Sequence, residues 1–294
     1  MTQVVTPALR EWIVAQTVAG FSPEQVLDAM VSAGWEAGLA ETTMESSLRD
    51  HVRKNGHGGA TSPAPAAQRS GQRAATSTVP QIALAQSPRA LDLGDRQVAI
   101  LTSLASPRVV VLGGMLSDEE CDALIAAARP RMARSLTVQT QTGGEEQNES
   151  RTSNGMFFNR GESELLQRIE ARISQLVNWP VDHGEGMQVL FYGVGAEYKP
   201  HYDYFDPAEP GTPSILKRGG QRVGTLVMYL NEPECGGGTT FPDVGLEVAP
   251  QRGNAVFFSY DQPHPSTRTL HGGAPVTAGE KWVATKWFRE GVFA

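Results

Sequence analysis

The run Tyr198-Lys199-Pro200-His201-Tyr202-Asp203 places an imidazole and a carboxylate two residues apart among aromatic residues. Alternate residues of a β-strand point to one face, so His201 and Asp203 should converge on one point. A second imidazole, His271, stands in Leu270-His271-Gly272-Gly273-Ala274-Pro275-Val276, and Lys281 follows ten positions later. Two histidines and one carboxylate, with open positions on one side, form the facial ligand set that suits non-haem Fe(II). Alone, H-x-D is a weak signal, because a strand histidine is more often a hydrogen-bonded core or surface residue. The ensemble raises it: a distal histidine in a Gly-Gly-Ala-Pro turn, a lysine beyond it, and several strands between. Among the other histidines, His51, His57 and His183 fall in segments without such neighbours. His264, in Gln262-Pro263-His264-Pro265, competes with His271 for the third position.

The elements that must carry these residues read as helices followed by strands. Leu116-Ser117-Asp118-Glu119-Glu120 is a capping box that opens a helix with Cys121, Leu124 and Ile125 inward, ended by Pro130. Ser163 caps a second helix, in which Leu166, Ile169, Ile173 and Leu176 recur at helical spacing. Val109–Leu112 precedes them as a buried strand. Strand-like runs follow at 188–192, 225–230, 254–258 and 282–288, punctuated by Gly and Pro. This order predicts an antiparallel double sheet with helices packed on one side. Residues 139–150 are polar, contain Gly143-Gly144 and lack apolar periodicity. A loop of that length inside a compact domain suggests a lid, plain disorder being the alternative.

The N-terminal third differs. Residues 1–55 read as a small module of three helices: Trp12, Ile13 and Val18 on the first, Val26, Leu27, Met30 and Val31 on the second, and Met44, Leu48 and Val52 on the third. Ser22-Pro23-Glu24-Gln25 starts the second helix. The pattern faintly resembles a ubiquitin-associated-type bundle, with no functional residue to carry over, and a docking or oligomerisation role is expected. Residues 56–88 are rich in Gly, Ala, Ser, Thr, Pro and Gln, as a flexible linker is. The composition turns core-like from residue 89, so residues 89–294 are expected to form the large domain.

A net charge of -7 argues against a nucleic-acid binder held by phosphate contacts. The two cysteines, Cys121 and Cys235, are far apart and give neither a zinc cluster nor a disulfide framework. The first residues lack the basic start and apolar core of a signal peptide. No apolar run approaches the ~20 residues that cross a bilayer. A cytoplasmic protein without membrane contact is the expectation.

From about residue 107 onward the chain resembles the prolyl 4-hydroxylase family of Fe(II)/2-oxoglutarate dioxygenases. Ser106-Pro107-Arg108-Val109-Val110, Leu116-Ser117-Asp118-Glu119-Glu120-Cys121 and Arg151-Thr152-Ser153 carry the first part of the resemblance. Gly219-Gly220-Gln221-Arg222-Val223, Met228-Tyr229-Leu230-Asn231, Gly236-Gly237-Gly238-Thr239 and Gly279-Glu280-Lys281-Trp282-Val283-Ala284-Thr285-Lys286-Trp287 continue it around the two histidine segments. The resemblance implies an α+β fold built on a double-stranded β-helix, or jelly roll. It implies that His201, Asp203 and His271 hold Fe(II), that Lys281 binds the distal carboxylate of 2-oxoglutarate, and that Tyr192 and Thr239 help bind that carboxylate or line the pocket. Tyr198, Arg222 and Trp287 match positions that contact a proline-containing peptide, and Arg151 and Ser153 match the flexible loop closing over it. The implied reaction consumes O2 and 2-oxoglutarate, with ascorbate as reductant, and hydroxylates a prolyl residue at the 4-position while releasing succinate and CO2. Because Asp203 is present where related halogenases carry a small residue, hydroxylation is expected.

Two other functions fit less well. The same chemistry could act on a free amino acid or other small molecule, but the polar lid and the arginines favour a polypeptide. A non-catalytic binding protein on the same fold is expected to lose part of the ligand set, and here the triad, Lys281 and Tyr192 are all intact.

Overall fold

The computed structural model describes residues 35–55, 78–85, 87–135, 137–138, 145–146 and 151–294, with scattered positions between 5 and 31. The chain divides into two compact units, residues 1–72 and 73–294. In the first unit, one helix is described in full, Ala37–Asn55. Glu36 caps it, its carboxylate accepting from the backbone N–H of Gly38 and Leu39. Ile13, Val26, Met30, Ala40 and Met44 form a small buried cluster. The expectation of three helices in residues 1–55 thus has one fully described helix behind it; the Ser22 helix start lies outside the described residues.

The second unit is predominantly antiparallel sheet with few helices. Nine strands form the large sheet, in spatial order Ala90–Asp92, Gln97–Leu104, Arg108–Gly113, Ala255–Ser259, Arg222–Tyr229, Lys281–Arg289, Met187–Tyr192, Asn154–Phe158 and Ala133–Arg134. Four strands form a smaller sheet, in the order Leu246–Val248, Thr239–Phe241, His271–Gly273 and Tyr198–His201. Every neighbouring pair in both sheets is antiparallel.

Period-two alternation sorts the central strands into two cores. Val189, Leu226, Met228, Ala284 and Phe288 face the helices, where Leu124, Leu166, Ile169, Ile173 and Leu176 meet them. Burying each such aliphatic side chain stabilises the fold by about 1.5–3 kcal/mol. Leu190, Tyr192, Tyr229, Phe258 and Val283 face the other way, into a second core with Phe241 and Val248 of the small sheet. The two helices are Asp118–Ala128, with the expected box between Ser117 and Glu120, and Glu164–Val177, capped by Ser163. Arg172 on the second helix is buried and holds Glu120 (2.7 Å) and Asp95 (2.7 Å), tying both helices to the sheet.

Composition misplaces the start of the large unit. Residues 79–84, assigned above to a linker ending at 88, lie on the helix-side core: Val79 and Ile82 are buried in it, and the Gln81 N–H donates to the Val177 carbonyl. Two large apolar side chains in a Pro- and Gln-rich run are enough to anchor it. The strand expected through His201 and Asp203 also ends at His201, so Asp203 stands in the bend that follows. Residues 139–150 are described only at Glu145–Glu146, which pairs with Thr137–Val138; the rest of the expected lid lies outside the described residues. No helix among the described residues is long and apolar enough to cross a membrane.

Candidate active site

His201 and His271 are cross-strand partners in the small sheet. The strands approach closely at Gly272, where a Cβ would stand 2.9 Å from the Tyr198 carbonyl oxygen. Each ring directs Nδ1 at a main-chain carbonyl, His201 at Lys199 (2.9 Å) and His271 at Thr269 (2.9 Å). A carbonyl only accepts, so Nδ1 carries the proton and Nε2 keeps its lone pair. Both Nε2 atoms face Asp203: His201 at 3.5 Å from Oδ1, His271 at 3.4 Å from Oδ2. Burial pushes the Asp203 carboxyl up, but His271 and His201 outweigh it and hold it well below the ordinary range. Burial, and then His271, push His201 down. The ligand atoms of His201, Asp203 and His271 all lie within 4.8 Å of one another. That donor set and tautomer fit Fe(II).

His264 is not part of it. Its Nδ1 interacts with the Ser266 hydroxyl and backbone N–H on an exposed turn.

Behind the triad lies a small cavity of about 50 Å³ between the sheets. Lys281, Val283, Thr285 and Trp287 line it from one strand at every second position, with Leu190 and Tyr192 from the next strand and Thr225 and Val227 from another. Lys281 is Tyr192's register partner across the strands, and its ammonium lies 5.3 Å from the Tyr192 ring centre. Gly237, at φ +73°, lets the backbone pass Lys281; a Cβ there would come within 3.1 Å of Lys281 Cδ. No carboxylate among the described residues pairs with this ammonium, and burial alone brings its pKa down to about 8. Thr239 lines the same cavity and accepts a hydrogen bond from the Tyr229 hydroxyl (2.8 Å).

A wider groove of about 540 Å³ opens on the outer side of the triad, sharing Arg151, Tyr198, His201, Asp203 and Trp287 with the inner cavity. Tyr198 stacks on the His201 ring at 3.6 Å, and the Arg151 guanidinium lies 4.8 Å over Tyr198. Burial raises the Tyr198 hydroxyl to about 12. Trp287 is buried against the Arg222 guanidinium (4.1 Å), and its Nε1–H has no hydrogen-bond partner among the described residues.

Two expectations need correction. Ser153 is fully buried and donates to Ser135 Oγ, so it does not line either cavity. Arg151 is buried and donates to Gln188 Oε1 (2.8 Å), an anchored residue and not part of a loose loop. Arg222 does line the outer groove, with Nε and one terminal nitrogen donating to Glu185 (2.7 and 2.9 Å).

The sequence reading missed Glu185, Gln188, Thr225, Tyr229 and Tyr260, which hold the site residues from behind. For Gln188, Thr225 and Tyr229 the one signal is a polar group on an otherwise apolar strand, as with Thr225 beside Leu226 and Val227; Glu185 and Tyr260 lie just outside their strands and carry no such signal.

A family model described as the 2OG-Fe(II) oxygenase superfamily matches residues 187–289. Prolyl 4-hydroxylase 5 of Arabidopsis thaliana is 41% identical over 216 residues, covering 66% of this chain and 72% of that one. Prolyl 4-hydroxylase 1 of the same plant is 43% identical over 204 residues, covering 63% and 70%. Among solved structures, a viral collagen prolyl hydroxylase from Paramecium Bursaria Chlorella virus-1, in complex with 2OG, is 32% identical with a TM-score of 0.47, covering 62% of this chain and 95% of that one. With its ligand set and the two plant relatives at 41% and 43% identity, the chain belongs to the prolyl 4-hydroxylase family of 2OG-Fe(II) oxygenases.

Proposed function

We propose that this chain hydroxylates prolyl residues of a protein or peptide at the 4-position, consuming 2-oxoglutarate and O2 and releasing succinate and CO2. The observation that carries the reading is the buried Lys281 ammonium, without a carboxylate partner among the described residues, in the same small cavity as the triad. A buried charge without a partner is costly, and a dicarboxylate that reaches from metal to lysine removes that cost when bound. His201, Asp203 and His271 hold Fe(II), which supplies the activation of O2 coupled to decarboxylation of the co-substrate. Lys281 pairs with the distal carboxylate of 2-oxoglutarate, Tyr192 and Thr239 shape the pocket around it, and Val227 and Val283 exclude water.

In the outer groove, Tyr198 and Trp287 form apolar walls for a pyrrolidine, and Arg151 and Arg222, which also line it, pack over those rings and hold them in place. Arg222 therefore acts here as a positioning residue. A groove of this size favours a polypeptide over a free amino acid. Ascorbate as reductant and a cytoplasmic setting belong to the same proposal, as does a docking role for the N-terminal unit. The test is mass spectrometry of proline-containing peptides and of a host-cell lysate after incubation with Fe(II), 2-oxoglutarate and ascorbate. A gain of one oxygen on proline that depends on 2-oxoglutarate supports the proposal. Turnover of 2-oxoglutarate that only a free amino acid stimulates overturns the polypeptide assignment.

A further inference from the structure

Each oxygen of Asp203 faces one imidazole, Oδ1 that of His201 and Oδ2 that of His271, and among the described residues only Oδ2 accepts a further side-chain hydrogen bond. The Thr225 hydroxyl donates to Asp203 Oδ2 at 2.7 Å, and the Tyr260 hydroxyl stands 3.2 Å from Thr225 Oγ1. Thr225 has a single hydroxyl proton, which the carboxylate takes, so Tyr260 must be the donor to Thr225. The chain of donors runs one way, Tyr260 to Thr225 to Asp203. Both residues are buried, Thr225 at 0% and Tyr260 at 1% exposure, so water does not compete for these bonds. Burial and the nearby Asp203 charge raise the Tyr260 hydroxyl well above its ordinary value, which keeps it a donor at every working pH.

We propose that Thr225 and Tyr260 are positioning residues that commit Asp203 Oδ2 to a hydrogen bond and leave Oδ1 as the single carboxylate donor to the metal. The inference rests on the oxygenase reading above. A carboxylate that binds through both oxygens takes two positions on the ion. One that binds through a single oxygen leaves the positions that a chelating 2-oxo acid and O2 require. The hydroxyl pair therefore protects co-substrate binding more than metal binding, which separates this role from simple support of the ligand.

The experiment uses the full chain under anaerobic conditions. Fe(II) affinity is measured by competition with a chromogenic chelator. 2-Oxoglutarate affinity is measured from the visible charge-transfer band of the Fe(II)–2-oxo acid chelate. Thr225→Val is expected to weaken 2-oxoglutarate binding by about tenfold or more and to lower Fe(II) affinity by clearly less than that. Thr225→Ser, which keeps the hydroxyl, restores it. Tyr260→Phe gives the same loss in smaller measure and carries the test should Thr225→Val not fold. The proposal is overturned if Thr225→Val binds 2-oxoglutarate like the parent, if Fe(II) affinity falls as much as 2-oxoglutarate affinity, or if Thr225→Ser shares the defect. A parent chain with no charge-transfer band fails the oxygenase reading itself, and this proposal with it.

Discussion

His271 sits directly across the strand pair from His201, ring centres 4.4 Å apart, and the two Nε2 atoms approach opposite oxygens of Asp203. Sheet register thus does most of the assembly: two ligands are cross-strand neighbours, and the third follows one of them by two residues.

Removing either imidazole should therefore abolish metal binding while leaving the sheets intact. A metal that binds only the native state adds about 2.7 kcal/mol of stability at a hundredfold excess over Kd. Thermal unfolding with and without Fe(II) or Co(II) should show that gain in the parent chain and none in His271→Ala or His201→Ala. A metal-dependent rise in Tm that survives in His271→Ala would falsify the ligand assignment.

Glu185 receives Arg222 at 2.7 Å and Arg289 at 2.7 Å, and its carboxyl is held down by them against the upward push of burial. Both guanidiniums also lie over Phe205, and Arg222 lies over Trp287. Breaking a buried pair by removing one partner costs about 3–5 kcal/mol, because the other charge stays buried. Glu185→Ala should destabilise the fold on that scale and raise KM for a prolyl peptide, since the groove wall loses its support. Substrate-free decarboxylation of 2-oxoglutarate should change far less, because Lys281 and the triad are untouched. Equal losses in both assays would mean general disruption and remove the positioning role.

Much of this site is legible in the chain because its chemistry is local or periodic. His201 and Asp203 are two apart, Ser117 and Ser163 cap helices by local rules, and strands 188–192 and 282–288 alternate between two faces. Thr225, Tyr260 and Glu185 are not legible, because each matters through a partner that only strand register brings near. Thr225 meets Asp203 from 22 positions away, and Glu185 meets Arg289 from 104. Ser153 misleads for the same reason: a polar residue beside a polar loop looks mobile until Ser135, on a segment beyond that loop, is seen to bury it.

The ion triad behind the sheet sets acid stability. Burial pushes the Glu120 carboxyl up, but the hydrogen bonds from Arg172 and the Ser117 backbone outweigh it and bring it down to about 2. A depressed carboxyl contributes stability that is fully present above its unfolded value and is lost as pH falls through the folded one. Stability should therefore decline from about pH 4.5 toward pH 2, and Glu120→Gln should flatten that part of the profile. Urea unfolding across this window checks it; an unchanged slope in Glu120→Gln would assign the acid transition to other groups.

Lys281 makes opposite demands on the empty and the filled site. In the empty pocket burial brings its pKa from 10.5 to about 8, with no partner to offset it. Near neutral pH the folded chain thus bears a charged group it disfavours by up to about 3 kcal/mol. Its stability should rise between pH 8 and 10.5, where the unfolded chain binds more protons than the folded one. Lys281→Met should accordingly stabilise the empty protein near pH 7 while removing the use of 2-oxoglutarate. For the parent, a bound carboxylate favours the ammonium, so binding above pH 8 must draw a proton from solution. Affinity for 2-oxoglutarate should be flat below about pH 8 and fall roughly tenfold per unit well above it, measured by calorimetry in buffers of different ionisation enthalpy. A pH-independent affinity through pH 9 would show that this ammonium is not the partner of the distal carboxylate.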